Sequence, residues 1–181
     1  MLVGIVVYHS LVIISDQCPV ISVRFFDKTK RRNAMISIKN ILDKKGSDVV
    51  SIYENQTVYD AIKFLVEKNI GAVMVRNSKE EVVGIISERD ILREGEKRCE
   101  RLKEITVKEA MTCDLIVCDL GQDIEYAEQV MVKNEIRHLP VISHQKLVGI
   151  ISMRDIVRAR LSIVEVENRY LRDYIEGKYP G

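Results

Sequence analysis

Gly84-Ile85-Ile86-Ser87-Glu88-Arg89-Asp90-Ile91-Leu92-Arg93-Glu94 decides the fold, because the chain contains it twice. It returns as Gly149-Ile150-Ile151-Ser152-Met153-Arg154-Asp155-Ile156-Val157-Arg158-Ala159, with eight of eleven positions identical at an offset of 65. Average composition does not produce such agreement, so the chain carries an internal repeat. Upstream the match continues at an offset of 66, where Val58, Ala61 and Leu65 correspond to Ile124, Ala127 and Met131. Val73 and Val75 likewise correspond to Leu139 and Val141. The missing residue falls in a turn, where Asn77-Ser78-Lys79-Glu80-Glu81 faces the shorter Ser143-His144-Gln145-Lys146.

Each copy reads as a strand, a helix, a hairpin and a second helix. The short apolar run Val49–Ile52 predicts a strand. Thr57 followed by Asp60 has the form of a capping box, in which two side chains satisfy the free amides at a helix start. Val58, Ala61, Ile62, Leu65 and Val66 then mark one apolar helix face, and Asn69 ends the helix. Ala72–Val75 and Val82–Ile86 flank a polar turn and predict an antiparallel pair, and a further helix opens after Ser87. The second copy predicts strand Leu115–Cys118, helix Ile124–Lys133, strands Leu139–Ile142 and Leu147–Ile151, and a helix from Met153. Residues 95–106 read as a charged connector anchored by Leu102 and Ile105. The expected class is α/β (α+β), with two tandem βαββα units. One unit has only a small apolar face, and two copies can bury those faces against each other. The same logic favours a homodimer.

The domain reading is 1–34 as an N-terminal appendage, 35–98 as the first unit, 99–160 as connector and second unit, and 161–181 as a C-terminal helix. Leu2 to Ser15 is apolar but shorter than the roughly 20 residues a membrane span needs. It also lacks a secretory signal's basic start and small-residue cleavage site. The appendage is an added strand or hairpin, a partner-binding segment, or chain upstream of the true start, with Met35 as a candidate native start. In the tail, Ile163, Val166, Tyr170 and Tyr174 lie on or near one helix face, which either extends a dimer interface or packs back on its own chain.

A hydrophobic fraction of 46% and a charged fraction of 30% are ordinary for a globular protein. The formal net charge of +1 supplies no global attraction to nucleic acid or an anionic membrane. Cys18, Cys99, Cys113 and Cys118 form no CxxC pair, which argues against zinc and disulfide frameworks and for reduced thiols in a cytoplasmic protein.

Ser87 with Asp90, and Ser152 with Asp155, again have capping-box form, which by itself accounts for both side chains as local structure. Three features add a ligand reading. A helix start offers free amides and positive potential to phosphate. Arg89 and Arg154 stand beside it, able to pair with phosphate oxygens. An aspartate can accept both hydroxyls of a ribose. Together these describe a nucleoside phosphate.

With a G-h-h-S/T-x-x-D motif (h apolar) complete at Gly84–Asp90 and Gly149–Asp155, each unit resembles a CBS domain. The pair, over roughly residues 36–160, resembles a Bateman module of the stand-alone prokaryotic type. The resemblance implies pseudo-twofold packing with two clefts that bind AMP, ADP, ATP, NAD or S-adenosyl compounds. Asp90 and Asp155 would hold ribose hydroxyls, Ser87 and Ser152 phosphate or ribose, and Arg89 and Arg154 phosphate. The base would lie against Val50 and Ile52, or Ile116 and Cys118. Its other contacts would come from Gly71-Ala72, or His138-Leu139-Pro140. The copies differ: Arg137-His138 replaces Gly71-Ala72, and Met153 replaces Glu88, which favours the second motif as the anion site. The implied role is a regulatory module that passes the state of an adenine-containing ligand to an unidentified partner protein. Its ligand is regulatory rather than a cofactor, and no catalytic residue is assigned.

A structural interaction module without a physiological ligand is the main competing reading. Nucleic-acid binding rests only on the basic groups Lys28, Lys30, Arg31, Arg32 and Arg154, Arg158, Arg160, with no aromatic platform. An enzyme lacks support, because no histidine neighbours Ser87 or Ser152 in sequence.

Overall fold

A computed structural model describes residues 23–25, 36–46 and 48–176. In chain order the elements are β1 (Val23–Phe25), α1 (Ile38–Lys45), β2 (Ser51–Tyr53), α2 (Val58–Lys68), β3 (Ala72–Arg76), β4 (Val82–Ser87) and α3 (Glu88–Arg98). A 3-10 turn at Cys99–Arg101 leads to α4 (Val107–Ala110), β5 (Leu115–Asp119), α5 (Ile124–Lys133), β6 (His138–Ser143), β7 (Lys146–Ser152) and α6 (Met153–Ile175). The repeat is thus a structural one. Each unit carries a parallel strand pair, β2–β3 or β5–β6, and an antiparallel hairpin, β3–β4 or β6–β7. Of the N-terminal appendage, Val23–Phe25 adds a parallel edge strand beside β5, and its other residues lie outside those described.

Local chemistry sets the helix ends. Thr57 and Asp60 form the expected capping box, and Asn69 closes α2 in the left-handed conformation that asparagine tolerates. The connector is more ordered than its charge suggests. Buried Glu94 is held by Lys97 at 3.1 Å and Arg98 at 2.6 Å, one turn further on, and α3 runs to Arg98. Gly95 is tolerated within that helix because nothing packs at its Cβ position.

The units bury their sheets against one another. Leu115 and Val117 of β5 point into the core built on β2, β3 and β4. The alternate residues Ile116 and Cys118 point to the core beneath α5 and α6. The short helices before each unit are exchanged. Ile38, Ile41 and Leu42 of α1 lie in the second unit's core. Val107 and Met111, from α4 and its end, lie in the first unit's core. The exchange also satisfies helix starts. The carbonyls of Ile105 and Leu102 accept from Val58 and Tyr59 at 2.9 and 3.1 Å, and that of Ile36 accepts from Ile124 at 3.4 Å.

This exchange explains the glycine that begins each motif. A Cβ on Gly84 would stand 2.8 Å from Met111 Sδ and 2.9 Å from the Thr112 carbonyl oxygen. A Cβ on Gly149 would stand 2.7 Å from the methyl carbons of Leu42. The glycines are seats for the chain segments that arrive from the other end of the exchange.

The C-terminal helix continues without a break from the second motif. Ile156 is fully buried and Ala159 and Ile163 pack against the second core, but beyond Ile163 the apolar side chains are exposed. Among the described residues, this part of α6 does not fold back onto its own chain.

Candidate ligand-binding site

A cleft of about 890 Å³ opens between the units, within the size range of small-molecule sites. The second unit contributes Arg137 and His138 at the start of β6, with Ser152, Arg154 and Asp155 at the start of α6. The first unit contributes Val50, Gly71 and Ala72. The structure therefore brings together eight of the residues expected from sequence, from both copies. Two backbone bonds hold the corners: Met153 N donates to the Arg137 carbonyl at 2.9 Å, and Glu88 N to the Gly71 carbonyl at 3.0 Å.

The other expected residues lie elsewhere. Ile52, Leu139 and Pro140 are buried. Ile116 packs partly buried against the second core, and Cys118 is fully buried there. Burial, with Asp119 nearby, pushes the Cys118 thiol up to about 12. Ser87, Arg89 and Asp90 belong to the first motif. Arg89 reaches across to donate to the Glu135 carbonyl at 2.7 Å.

Both motifs are complete capping boxes. Asp155 Oδ2 accepts from Ser152 N and Oγ, each at 2.7 Å. Asp90 Oδ2 accepts from Ser87 N at 2.9 Å and Oγ at 2.6 Å. They diverge at the second carboxylate oxygen. Asp90 Oδ1 takes the Thr112 hydroxyl at 3.3 Å and lies 3.9 Å from Arg93, and the residue is buried. Around Asp155 the additional donor, Lys45 Nζ at 2.8 Å, also falls on Oδ2. Oδ1 is therefore the oxygen left to accept from a molecule in the cleft. Burial acts to raise the Asp155 carboxyl, but the Lys45 and Ser152 hydrogen bonds outweigh it and hold it below its ordinary value.

Lys45 was not legible as a site residue. It ends the exchanged helix α1, and only that exchange brings it to Asp155 and to the Ile150 carbonyl at 3.1 Å. The apolar wall was missed for a similar reason: Ile62, Leu65 and Val66 of α2 and Ile91 and Leu92 of α3 cover one side of the cleft. Arg158 had a usable signal, since it follows Arg154 by four residues on one helix and also lines the cleft.

His138 sits against Gly71, where a Cβ would be 3.0 Å from His138 Cε1 and 3.3 Å from Glu88 Oε2. The glycine of the first copy thus makes room for the histidine of the second. Burial lowers the His138 imidazole below its ordinary value, despite nearby Glu88. The cleft wall otherwise carries Lys45, Arg137, Arg154 and Arg158 against Asp48, Glu88 and Asp155.

Two βαββα units with exchanged helices and a shared cleft define a tandem domain-pair architecture. The CBS domain model matches residues 36–97 and 107–162, and the chain belongs to the CBS-domain family. A mitochondrial CBS domain-containing protein of Arabidopsis thaliana, CBSX3, is 33% identical over 151 residues, spanning 79% of this chain and 73% of that protein. The crystal structure of the CBS-domain protein ATU1752 from Agrobacterium tumefaciens matches with a TM-score of 0.67 and 32% identity, covering 69% of this chain and 99% of that one. The CBS domain pair of protein MJ0100, solved in complex with 5′-methylthioadenosine and S-adenosyl-L-methionine, matches with a TM-score of 0.60 and 25% identity. That match covers 68% of this chain and 98% of MJ0100's solved chain. Among the described residues, no helix is long and apolar enough to cross a membrane.

Proposed function

We propose that this CBS pair is a non-enzymatic regulatory module that binds an adenine nucleotide or adenosyl compound in the interunit cleft and relays its occupancy to a partner protein. The observation that carries this reading is the placement of Ser152, Arg154 and Asp155 on a cleft whose opposite wall is Gly71-Ala72 and the apolar face of α2. Asp155 Oδ1 accepts a ribose hydroxyl, Arg154 and Arg158 pair with phosphate, and Val50, Ile62 and Leu65 cover the base. The adenosyl compounds in the MJ0100 complex support the ligand class. The cations around Asp155 favour AMP, ADP, ATP or NAD over the positively charged sulfonium of S-adenosylmethionine.

Ligand occupancy has a route out of the cleft. Lys45 holds Asp155 Oδ2 and belongs to α1, which is exchanged between units, so a hydroxyl bound at Oδ1 acts on the same carboxylate that anchors α1. A ligand regulates only by the difference in its affinity for the two arrangements. A homodimer is part of this reading. Exposed apolar side chains outside the cleft, Val132 on α5 and those along α6, support it.

Native mass spectrometry of the purified protein, followed by isothermal titration with AMP, ATP, NAD and S-adenosylmethionine, tests the proposal. Saturable binding that Asp155→Ala weakens about 10- to 100-fold is expected. No binding of any of them at millimolar concentration sinks it and leaves the two capping boxes as purely structural.

A further inference from the structure

From Val157 to Ile175, helix α6 carries a stripe that stays exposed among the described residues. Val157, Leu161, Val164, Asn168, Leu171 and Ile175 follow one another at alternating intervals of four and three residues. This is the spacing of a coiled-coil seam, with Leu161, Asn168 and Ile175 at a and Val157, Val164 and Leu171 at d. The five apolar members are 50–81% exposed. The helix buries a different stripe, Ile156, Ala159 and Ile163, against the second unit, so the two demands do not compete.

Two features select the occupant of the seam. Asn168 is an a position. In a parallel, in-register pair of identical helices, two asparagines meet and can hydrogen-bond; any other register sets each amide against an apolar side chain. Asn168 Nδ2 donates to the Val164 carbonyl at 3.0 Å, so Oδ1 is the group this bond leaves for a partner amide. The flanking charges agree. In a parallel pair each g position faces the next e position of the other helix. Glu167 at g then faces Arg172 of a second copy at e, and Arg160 at g faces Glu165 of that copy at e. Arg160 is already paired with Glu128 in its own chain, so the Glu167–Arg172 pair is the sharper discriminator.

We infer that α6 forms a parallel two-stranded coiled coil with α6 of a second copy of this chain, in register at Asn168. The seam joins two CBS pairs through their C-terminal helices.

Cysteine placement tests this in the full chain. Leu171→Cys puts two thiols across the seam, whereas Arg169→Cys puts them on the outer b position. Under mild oxidation, disulfide-linked dimer from Leu171→Cys is expected to exceed that from Arg169→Cys and from the unsubstituted chain by about fivefold or more, since only seam positions face each other. Sedimentation equilibrium supplies the second reading. Glu167→Arg sets like charges across both sides and is expected to weaken self-association by about five- to tenfold, and Glu167→Arg with Arg172→Glu restores it. Equal cross-linking at 169 and 171, a monomer, a trimer, or a dimer indifferent to Glu167→Arg each overturns the inference.

Discussion

The two motifs are eight-elevenths identical in sequence and stand in different surroundings. Asp90 is buried, and both its oxygens are committed to Ser87, Thr112 and Arg93. Asp155 receives all its bonds on one oxygen and lines an open cleft. The difference does not come from the motif itself. It comes from what the exchanged segments bring: a short threonine at the end of α4 for Asp90, and a long lysine at the end of α1 for Asp155. Identical local chemistry is completed as a structural joint in one copy and left as an acceptor in the other.

The sharpest way to break this comparison is to remove each carboxylate. Asp155→Ala is expected to weaken nucleotide binding about 10- to 100-fold, the loss of a hydrogen bond to a charged group. Asp90→Ala should leave affinity within about threefold while destabilising the protein by about 1–3 kcal/mol, because Ser87 and Thr112 lose a buried acceptor. Calorimetric titration and thermal unfolding of both variants read the two effects. Equal losses of affinity would show that the motifs are functionally equivalent.

The glycine seats come next. Gly84→Ala meets a backbone carbonyl as well as a methionine, whereas Gly149→Ala meets only the end of a leucine. Both overpack, at about 1–3 kcal/mol, with Gly84→Ala expected at the upper end because a backbone yields less than a side chain. Denaturant midpoints at unchanged slope measure this, and the reverse order contradicts the seat argument.

A smaller effect involves His138. Its folded value lies below the ordinary one, so over the interval between them the unfolded chain binds the extra proton. Stability from this group is present above about pH 6.5 and is lost as pH falls through that interval. The unliganded protein should lose more in Tm across it than His138→Gln does, and thermal unfolding at several pH values measures this. Parallel Tm curves for the two proteins would remove His138 from the account.

The smallest effect is expected from Lys45→Met. Lys45 is half exposed, so loss of its pair with Asp155 should change stability by less than about 1 kcal/mol. The Asp155 carboxyl should titrate higher, because a cation that favours its charged form is gone. Carboxylate titration by NMR reads this directly. An unchanged Asp155 would place Lys45 outside the site.

Much of the fold was legible in advance. Periodicity gave helix Ile124–Lys133 to the residue, and the turn residues between apolar runs gave both hairpins. These depend on interactions between near neighbours. Val49–Ile52 was displaced to Ser51–Tyr53, because strand limits depend on pairing with β3 rather than on apolar character. The site was half legible: Ser152, Arg154, Asp155 and the His138 difference were visible as motif residues, while Lys45 and the apolar wall were not.

By itself, the sequence determined the repeat, the helix caps and the Ser–Arg–Asp helix starts, since each is a matter of spacing within a few residues. It also carries the heptad of α6, for the same reason. Only the tertiary structure decided that α1 and α4 change places, that Gly84 and Gly149 receive them, and that one aspartate keeps an oxygen for the cleft. Those outcomes join residues as far apart as Lys45 and Asp155, 110 positions along the chain, and no local pattern encodes such a pairing. It follows from the burial of Ile38, Ile41 and Leu42 in the opposite unit, which carries Lys45 to its partner.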